Sequence, residues 1–497
     1  MADKLSISEY ANQEVRYGVI PMLSKERLYS FWDMAFVTGA YAIATWCYFH
    51  GAELSEYLGF RQALFSTFGA ICAFIALIAI IGVISSRYGI DHWIYSRAVF
   101  GYKGVMVVFL VSALSSWGWT AINAQMYGSS MLKVANATPL SLSEERWFEP
   151  IALTCVFFGW AIAMKGPTAV RYVTRIMTLA LLAVGAIVVA LLLIKASPSE
   201  IWNAQAVSPA EPGEVRMQYM LATEWNIAFA LSWFTVIGAL TRLAKSERAA
   251  MWGIWWGYAF IMAVFILIGA AVSVVVVGQG AEPTGDVTDY LLELGGPGLG
   301  LISLIFVGVA NITTQAVELY AMSVSTKILR PSWSYRWVCT FWALTVAGLV
   351  MWGGVWEYYG TFLAIMGVIA GPVVTLVILD YFVVRRQRVS VTHLYKKGVY
   401  QYSGGFNVVA FLAFAAGVVA FLAVYDPIAN EARSTVFMYT TATGASVIGT
   451  TVAYLILWRI PPLQRYLLKD RDAVGETREA ARELVGESLP AGEPAGS

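Results

Sequence analysis

The stretch FVGVANITTQAVELYAMS, residues 306–323, sets Asn311, Thr313, Thr314, Gln315 and Glu318 into an otherwise apolar run. Hydroxyls, amides and a carboxylate at this spacing suit binding by hydrogen bonds and charge. At about 100° per residue, Ala310, Thr313, Thr314 and Val317 share one helical face. Asn311, Gln315 and Glu318 lie on the adjoining face. Covalent chemistry has no comparable constellation. The histidines, His50, His92 and His393, are dispersed, and no His-Glu-x-x-His pattern occurs. Cys47, Cys72, Cys155 and Cys339 lack metal-ligand spacing and read as small buried hydrophobes. An enzyme is not expected, nor is a prosthetic group.

The elements that carry these residues are membrane spans. The chain has 497 residues, of which 58% are hydrophobic and 13% charged; soluble domains carry about 25% charged residues. Mean hydropathy is +0.64. A net charge of +1 gives no reason to expect nucleic acid. About 20 residues cross the hydrocarbon as a helix. Twelve runs qualify: 31–52, 62–86, 104–131, 148–165, 169–195, 221–241, 250–278, 299–326, 336–354, 358–384, 407–425 and 435–458. A charge rule then orients them. Basic residues such as Arg87, Arg97, Arg171, Arg242, Arg330 and Arg385 fall in one set of loops. The alternate loops, LSEERWFEP, SPAEPGE and AEPTGDVTDYLLEL, are acidic. Positive loops stay inside, so both termini are expected in the cytoplasm.

The N-terminus is polar and does not read as a signal peptide. DYLLEL, in the loop 282–296, reads as a short external helix lying on the surface. Spans 1–5 and 6–10 each hold an odd number of helices, which allows two units of opposite orientation. Transporters built this way hold substrate at interrupted helices near the midplane. Interruptions are expected at Gly39 in FVTGAYAIATW and near Ser232 and Trp233 in IAFALSWFTVIGAL.

Three motifs carry a resemblance. They are SRAVFGYKG (96–104), GPVVTLVILDYFVVRRQRVSVTHLYKKGVYQYSGGFN (371–407) and ANITTQAVELYA (310–321). Together they resemble the nucleobase:cation symporter-1 family, which contains hydantoin, cytosine, uracil, purine and allantoin permeases. The resemblance implies an all-α polytopic fold with twelve transmembrane helices. Ten of them would form a leucine-transporter-type five-plus-five inverted repeat, followed by two C-terminal helices. On that plan residues 1–28 form a cytoplasmic tail, 29–195 the first repeat and 221–384 the inverted second. Residues 385–406 form a cytoplasmic loop, 407–460 the last two spans, and 461–497 a disordered cytoplasmic tail. Spans 1, 2, 6 and 7 would rock against spans 3, 4, 8 and 9.

The resemblance also implies roles. Trp119 falls on the stacking tryptophan of span 3, and Asn123 on the amide one turn later. Ser232 and Trp233 match the small-aromatic pair at the span-6 break, so that two tryptophans would sandwich a planar ring. Gln315 and Leu319 match substrate-contacting positions. A cation would take the Ala310 carbonyl, the Thr313 and Thr314 hydroxyls and two span-1 carbonyls, either Gly39 with Ala42 or Ala40 with Ile43. Oxygen donors suit a hard monovalent ion, Na+ or H+ being the coupling candidates. Arg242 replaces an aspartate of relatives, and Glu318 an alanine.

An intramembrane carboxylate is costly and marks function by default. Glu318 therefore has three readings. It binds an N–H edge or positive charge of the substrate, it carries a proton or supplements the cation site, or it is a structural hydrogen-bond partner. The implied activity is import of a small planar N-heterocycle, such as a purine or pyrimidine, coupled to a monovalent cation across the cell membrane. A cationic, vitamin-like ring is the alternative. A transport-dead receptor and a membrane-embedded enzyme are remote ones. Substrate, cation and lipid bilayer are the only partners implied.

Overall fold

The computed structural model describes residues 20–211, 213–282, 288–395 and 398–468. The expectations for residues 1–19 and for the tail from 469 onward fall outside these. The described chain is helical almost throughout, with one antiparallel strand pair, Tyr425–Asp426 with Glu431–Ala432.

The first expected span is two helices. α1 (Phe31–Ala42) starts at a Ser30 cap, whose hydroxyl accepts the Asp33 N–H. It stops at Ile43, where the backbone leaves the helical region (φ −85, ψ 35), and α2 (Thr45–Tyr57) resumes two residues later. The interruption thus lies at Ile43 and Ala44, four residues past Gly39, which stays helical. Glycine freedom is not its cause: Asn311 of a later helix holds Thr45 in place, as described below. α3 (Phe60–Tyr88), α4 (His92–Phe100), α5 (Gly104–Asn136), α6 (Glu144–Ala163) and α7 (Pro167–Lys195) follow. α8 (Val215–Ser232) and α9 (Phe234–Thr241) meet at Trp233, where the Trp233 N–H reaches the Ala230 carbonyl instead of the usual one a residue earlier. The break expected at Ser232 and Trp233 is a tightened turn, not an unwound segment.

α10 (Glu247–Gly278) contains a π-helical turn, Trp255–Ile261, packed on α1. α11 (Thr288–Gly295) is the helix expected in DYLLEL. One face of it is packed inward, with Tyr290, Leu291 and Leu294 buried at helical spacing, while Asp289 is exposed. α12 (Leu301–Leu329) carries the polar stretch, followed by α13 (Tyr335–Trp352) and α14 (Tyr359–Ile378). α15 (Val408–Val424), α16 (Ala442–Arg459) and α17 (Pro461–Leu467) complete the described residues; the expected disordered tail thus begins, at 461–467, as a helix whose Leu467 is buried. Among the described residues, seven helices are each long and apolar enough to cross a bilayer, and the bent α16–α17 pair makes up to eight. Each remaining expected run also coincides with helix. α1 and α2 are separated by their break, α15 has 17 residues, and Glu144, Glu145, Arg146 and Glu149 load α6 with charge.

The first two motifs come together at one end of the bundle. Gly101 has φ +86, and a Cβ there would sit 2.5 Å from the Gly405 carbonyl oxygen, so only glycine allows the approach. Lys103 N–H donates to that carbonyl at 2.9 Å, and Asn407 Nδ2 donates to the Val99 carbonyl at 2.6 Å. Arg97 donates to the Leu394 carbonyl at 2.8 Å and to the Ile328 carbonyl at 3.1 Å. The last carbonyls of a helix lack intrahelical donors, so Arg97 ties the first motif to the end of α12. The Asp380 carboxylate is fully buried and accepts from Arg385 Nε (2.6 Å), Tyr95 (2.6 Å) and Tyr454 (2.8 Å). The second motif is therefore a structural knot joining α4, α14 and α16.

Candidate functional site

The two helix interruptions face each other around a cluster of rings. Trp119 (α5) and Trp233 stack at 5.5 Å between centroids with planes 18° apart. Trp119 Nε1–H donates to the Ser232 hydroxyl at 2.9 Å, which fixes the indole against the α8–α9 turn. The expected sandwich is absent from this conformation. Flat rings stack about 3.5 Å apart, so a ligand between two indoles needs about twice that separation. The closed geometry places tryptophan on tryptophan.

The sequence reading missed the third tryptophan. Trp46, two residues past the α1–α2 break, lies 4.8 Å from Trp233 and 5.4 Å, edge to face, from Trp119. Tyr41 meets Trp233 at 4.8 Å and Tyr258 stacks on it at 5.9 Å. Phe229 and Phe362 close on Trp119 edge-on at 5.1 and 5.2 Å. The signal available for Trp46 was its place in FVTGAYAIATW, the stretch expected to be interrupted. Spatial neighbours such as Phe362 left none.

Beside the rings is a set of buried amides. Asn123, one turn beyond Trp119, donates from Nδ2 to the Asn311 carbonyl (2.7 Å) and to Gln315 Oε1 (3.0 Å). Its Oδ1 and Gln315 Nε2 are buried without partners. Gln315 leans toward α6: a Cβ on Gly159 would lie 2.4 Å from its Cγ. Leu319 is fully buried, one turn further along α12 on the same face. Asn311, seen in sequence only as part of a stripe, clasps the span-1 break. Its Nδ2 donates to Thr45 Oγ1 at 2.8 Å, and its Oδ1 accepts the Thr45 N–H at 3.4 Å.

On the neighbouring face of α12, Ala310, Thr313 and Thr314 are buried. Thr313 Oγ1 donates back to the Ala310 carbonyl at 2.8 Å, the ordinary use of a helical threonine. Thr314 Oγ1 has no partner. α1 packs directly against α12. Within α1, the Gly39 carbonyl accepts the Ile43 N–H at 2.9 Å, and the Ala42 carbonyl accepts Trp46 Nε1–H at 3.1 Å. Ala40 and Ile43 are fully buried at the same break. Glu318, one turn beyond Thr314, is 2% exposed, and its Oε2 has no hydrogen-bond partner.

Polar contacts brace the site at both ends. At one end, His50 (α2) uses both ring nitrogens: Nδ1 meets the Tyr359 hydroxyl at 3.0 Å and Nε2 meets Asn226 Oδ1 at 3.2 Å. Asn226 Nδ2 continues to Ser66 Oγ on α3 at 3.1 Å. At the other end, the buried Asp33 carboxylate receives Arg171 at 2.8 and 2.9 Å and also pairs with Arg175. Arg242, the departure noted in sequence, is fully buried and donates to the Tyr320 hydroxyl at 3.3 Å. It ties α9 to α12. Among the described residues no group of three His, Cys, Asp or Glu side chains is placed to hold a metal.

A family profile described as permease for cytosine/purines, uracil, thiamine, allantoin matches residues 21–449. The hydantoin permease of Microbacterium maritypicum is 26% identical over 362 residues, covering 68% of this chain and 70% of the relative. The purine-uracil permease NCS1 of Arabidopsis thaliana is 21% identical over 473 residues, covering 88% and 76%. Among solved structures, the nucleobase-cation-symport-1 transporter Mhp1, closed with bromovinylhydantoin bound, superposes with a TM-score of 0.71 at 21% identity. That match covers 91% of this chain and 99% of Mhp1. A Na+-coupled sialic acid symporter superposes at 0.60 with 14% identity, covering 90% and 92%. The fold is that of these transporters, and the chain is a multi-pass membrane protein. With its profile matched along most of its length, this chain belongs to the cytosine/purine, uracil, thiamine and allantoin permease family.

Proposed function

We propose that this permease imports a small planar N-heterocycle, driven by Na+ or H+, through alternating access. The observation that carries this reading is the Trp119–Trp233 stack at the meeting of two interrupted helices. An aromatic face stacks on any flat ring, and Asn123 Oδ1 with Gln315 Nε2 offers one acceptor and one donor to a ring edge. Leu319 supplies apolar wall.

The coupling ion takes the Ala310 carbonyl and the Thr313 and Thr314 hydroxyls, with Ala40 and Ile43 as its span-1 ligands. The choice of Ala40 and Ile43 is supported by the Ala42 carbonyl of the alternative pair being filled, since it accepts both the Trp46 indole N–H and the Cys47 thiol. The unpartnered Thr314 hydroxyl fits an oxygen-only shell for a hard ion. Both the ion and the substrate then bear on α12 and on the α1–α2 break, which makes their affinities interdependent.

The wider plan is also part of the proposal. Twelve spans divide at 29–195, 221–384 and 407–460, the first two as inverted repeats, in the cell membrane with both termini cytoplasmic. Support comes from the alternation of basic and acidic loops. A thermal-shift screen of purines, pyrimidines, hydantoins and ring-containing vitamins, with and without Na+, tests the reading. A ligand that binds the folded form raises its melting temperature by mass action. The reading requires at least one planar heterocycle to do so, and more strongly with the coupling ion. A screen in which none does contradicts it.

A further inference from the structure

Glu318 is the polar residue of α12 that the proposed reading leaves unused. Its carboxylate is buried, its Oε2 lacks a partner, and no ion pair engages it among the described residues. The structure limits where it can point. Asn311, seven residues earlier and about 20° away around the helix, holds Thr45 beside Trp46. Met322, four residues later and about 40° away, lies 4.0 Å from the Thr120 hydroxyl beside Trp119. Glu318 lies between these two contacts, on the stripe of α12 that faces the aromatic cluster.

The cluster itself has a charge preference. Trp46, Trp119 and Trp233 bring three indole rings within 5.5 Å of one another, and Tyr41 and Tyr258 flank them. Ring faces carry negative quadrupole potential, so indoles parted by a ligand favour a cation between or against them. The nearby basic side chains are committed elsewhere: Arg242 to the Tyr320 hydroxyl, and Arg97 to two backbone carbonyls. An ionised carboxylate buried without a counter-charge is strongly unfavourable. Aromatic faces and the carboxylate therefore favour the same sign of ligand charge.

We propose that Glu318, with Trp46, makes this permease selective for a planar ring bearing a fixed or protonated positive charge over neutral nucleobases and hydantoins. This rests on the Trp119–Trp233 region being the ligand site. The cationic ring lies against the indole faces and its charge pairs with Glu318, a pairing that neutral rings cannot make.

Binding of matched ring pairs to the full-length protein in detergent tests this: 1-methylnicotinamide against nicotinamide, and 1,3-dimethylimidazolium against 1-methylimidazole, with uracil and hydantoin as neutral references. The wild type should bind the charged members at least about tenfold tighter. Glu318→Gln should weaken cation binding about 100-fold, the scale for removing one partner of a buried charge pair, and change neutral binding little. Trp46→Phe retains an aromatic face but weakens its quadrupole, so it should lower the cation preference even if Glu318→Gln folds poorly. Neutral members binding as tightly as charged ones, or an unchanged preference in both variants, overturns the proposal. Uracil or hydantoin binding in that case leaves the broader transport reading intact; binding by no ring at all brings both down.

Discussion

Trp119 and Trp233 stand face to face at 5.5 Å with planes 18° apart, and the Trp119 indole N–H donates to Ser232 at the α8–α9 turn. A ring that stacks on either indole must part them, so substrate entry moves the span-6 turn relative to α5. Trp119→Ala and Trp233→Ala should each weaken substrate binding by about 1–3 kcal/mol, the scale of base-on-aromatic stacking. Isothermal titration reads this directly. An unchanged affinity in both variants would place the ligand elsewhere.

The two threonines of α12 should behave differently. Thr313 Oγ1 already donates to the Ala310 carbonyl, whereas Thr314 Oγ1 is buried without a partner. Thr314→Val removes an unsatisfied polar group, so the ion-free protein should keep or slightly gain stability. The same change should abolish the ion's enhancement of substrate binding. Melting curves with and without Na+ separate the two effects. A Thr314→Val protein that retains full ion enhancement would remove this hydroxyl from the ion site.

His50 and Tyr359 connect α2, the second half of the first span, to α14. Tyr359→Phe leaves one imidazole nitrogen buried without its partner, which costs about 1–3 kcal/mol in the closed form. Because Tyr359 also abuts Trp119 at 6.0 Å, the closed form over the rings is what loses stability. Substrate release should quicken by about tenfold, with association little changed. Stopped-flow tryptophan fluorescence gives both rates. Equal dissociation rates in the two proteins would show that this contact is not part of the closure.

The buried Asp380–Arg385 pair makes a prediction about stability alone. Removing one charge from such a pair strands the other and costs about 3–5 kcal/mol. Asp380→Asn should therefore lower the melting temperature markedly, with any surviving folded protein binding substrate normally. Loss of affinity without loss of stability would contradict the structural reading of this motif.

What could be read from sequence follows its physical period. Charge depletion, apolar run lengths and the alternation of basic and acidic loops made the membrane helices visible. The polar stripes on α12 were visible too, because helical angle is set by spacing alone. The α1–α2 break was misplaced at Gly39, because it depends on Asn311 gripping Thr45 across 266 residues. Trp46, Tyr258 and Phe362 were missed for the same reason: one aromatic among many has no local mark of which rings it will meet. Even Trp119 and Trp233, singled out in the sequence, carried no sign that they would close on each other.

Accumulation of a radiolabelled planar heterocycle in proteoliposomes, under imposed Na+ or proton gradients, tests the central claim most directly. The substrate used should be one that the thermal screen identifies. The account predicts uptake above the equilibrium level with an inward ion gradient, collapse of that uptake when the gradient is dissipated, and its loss in Trp119→Ala. Uptake that only equilibrates whatever ion gradient is imposed, or accumulation undiminished in Trp119→Ala, would contradict it.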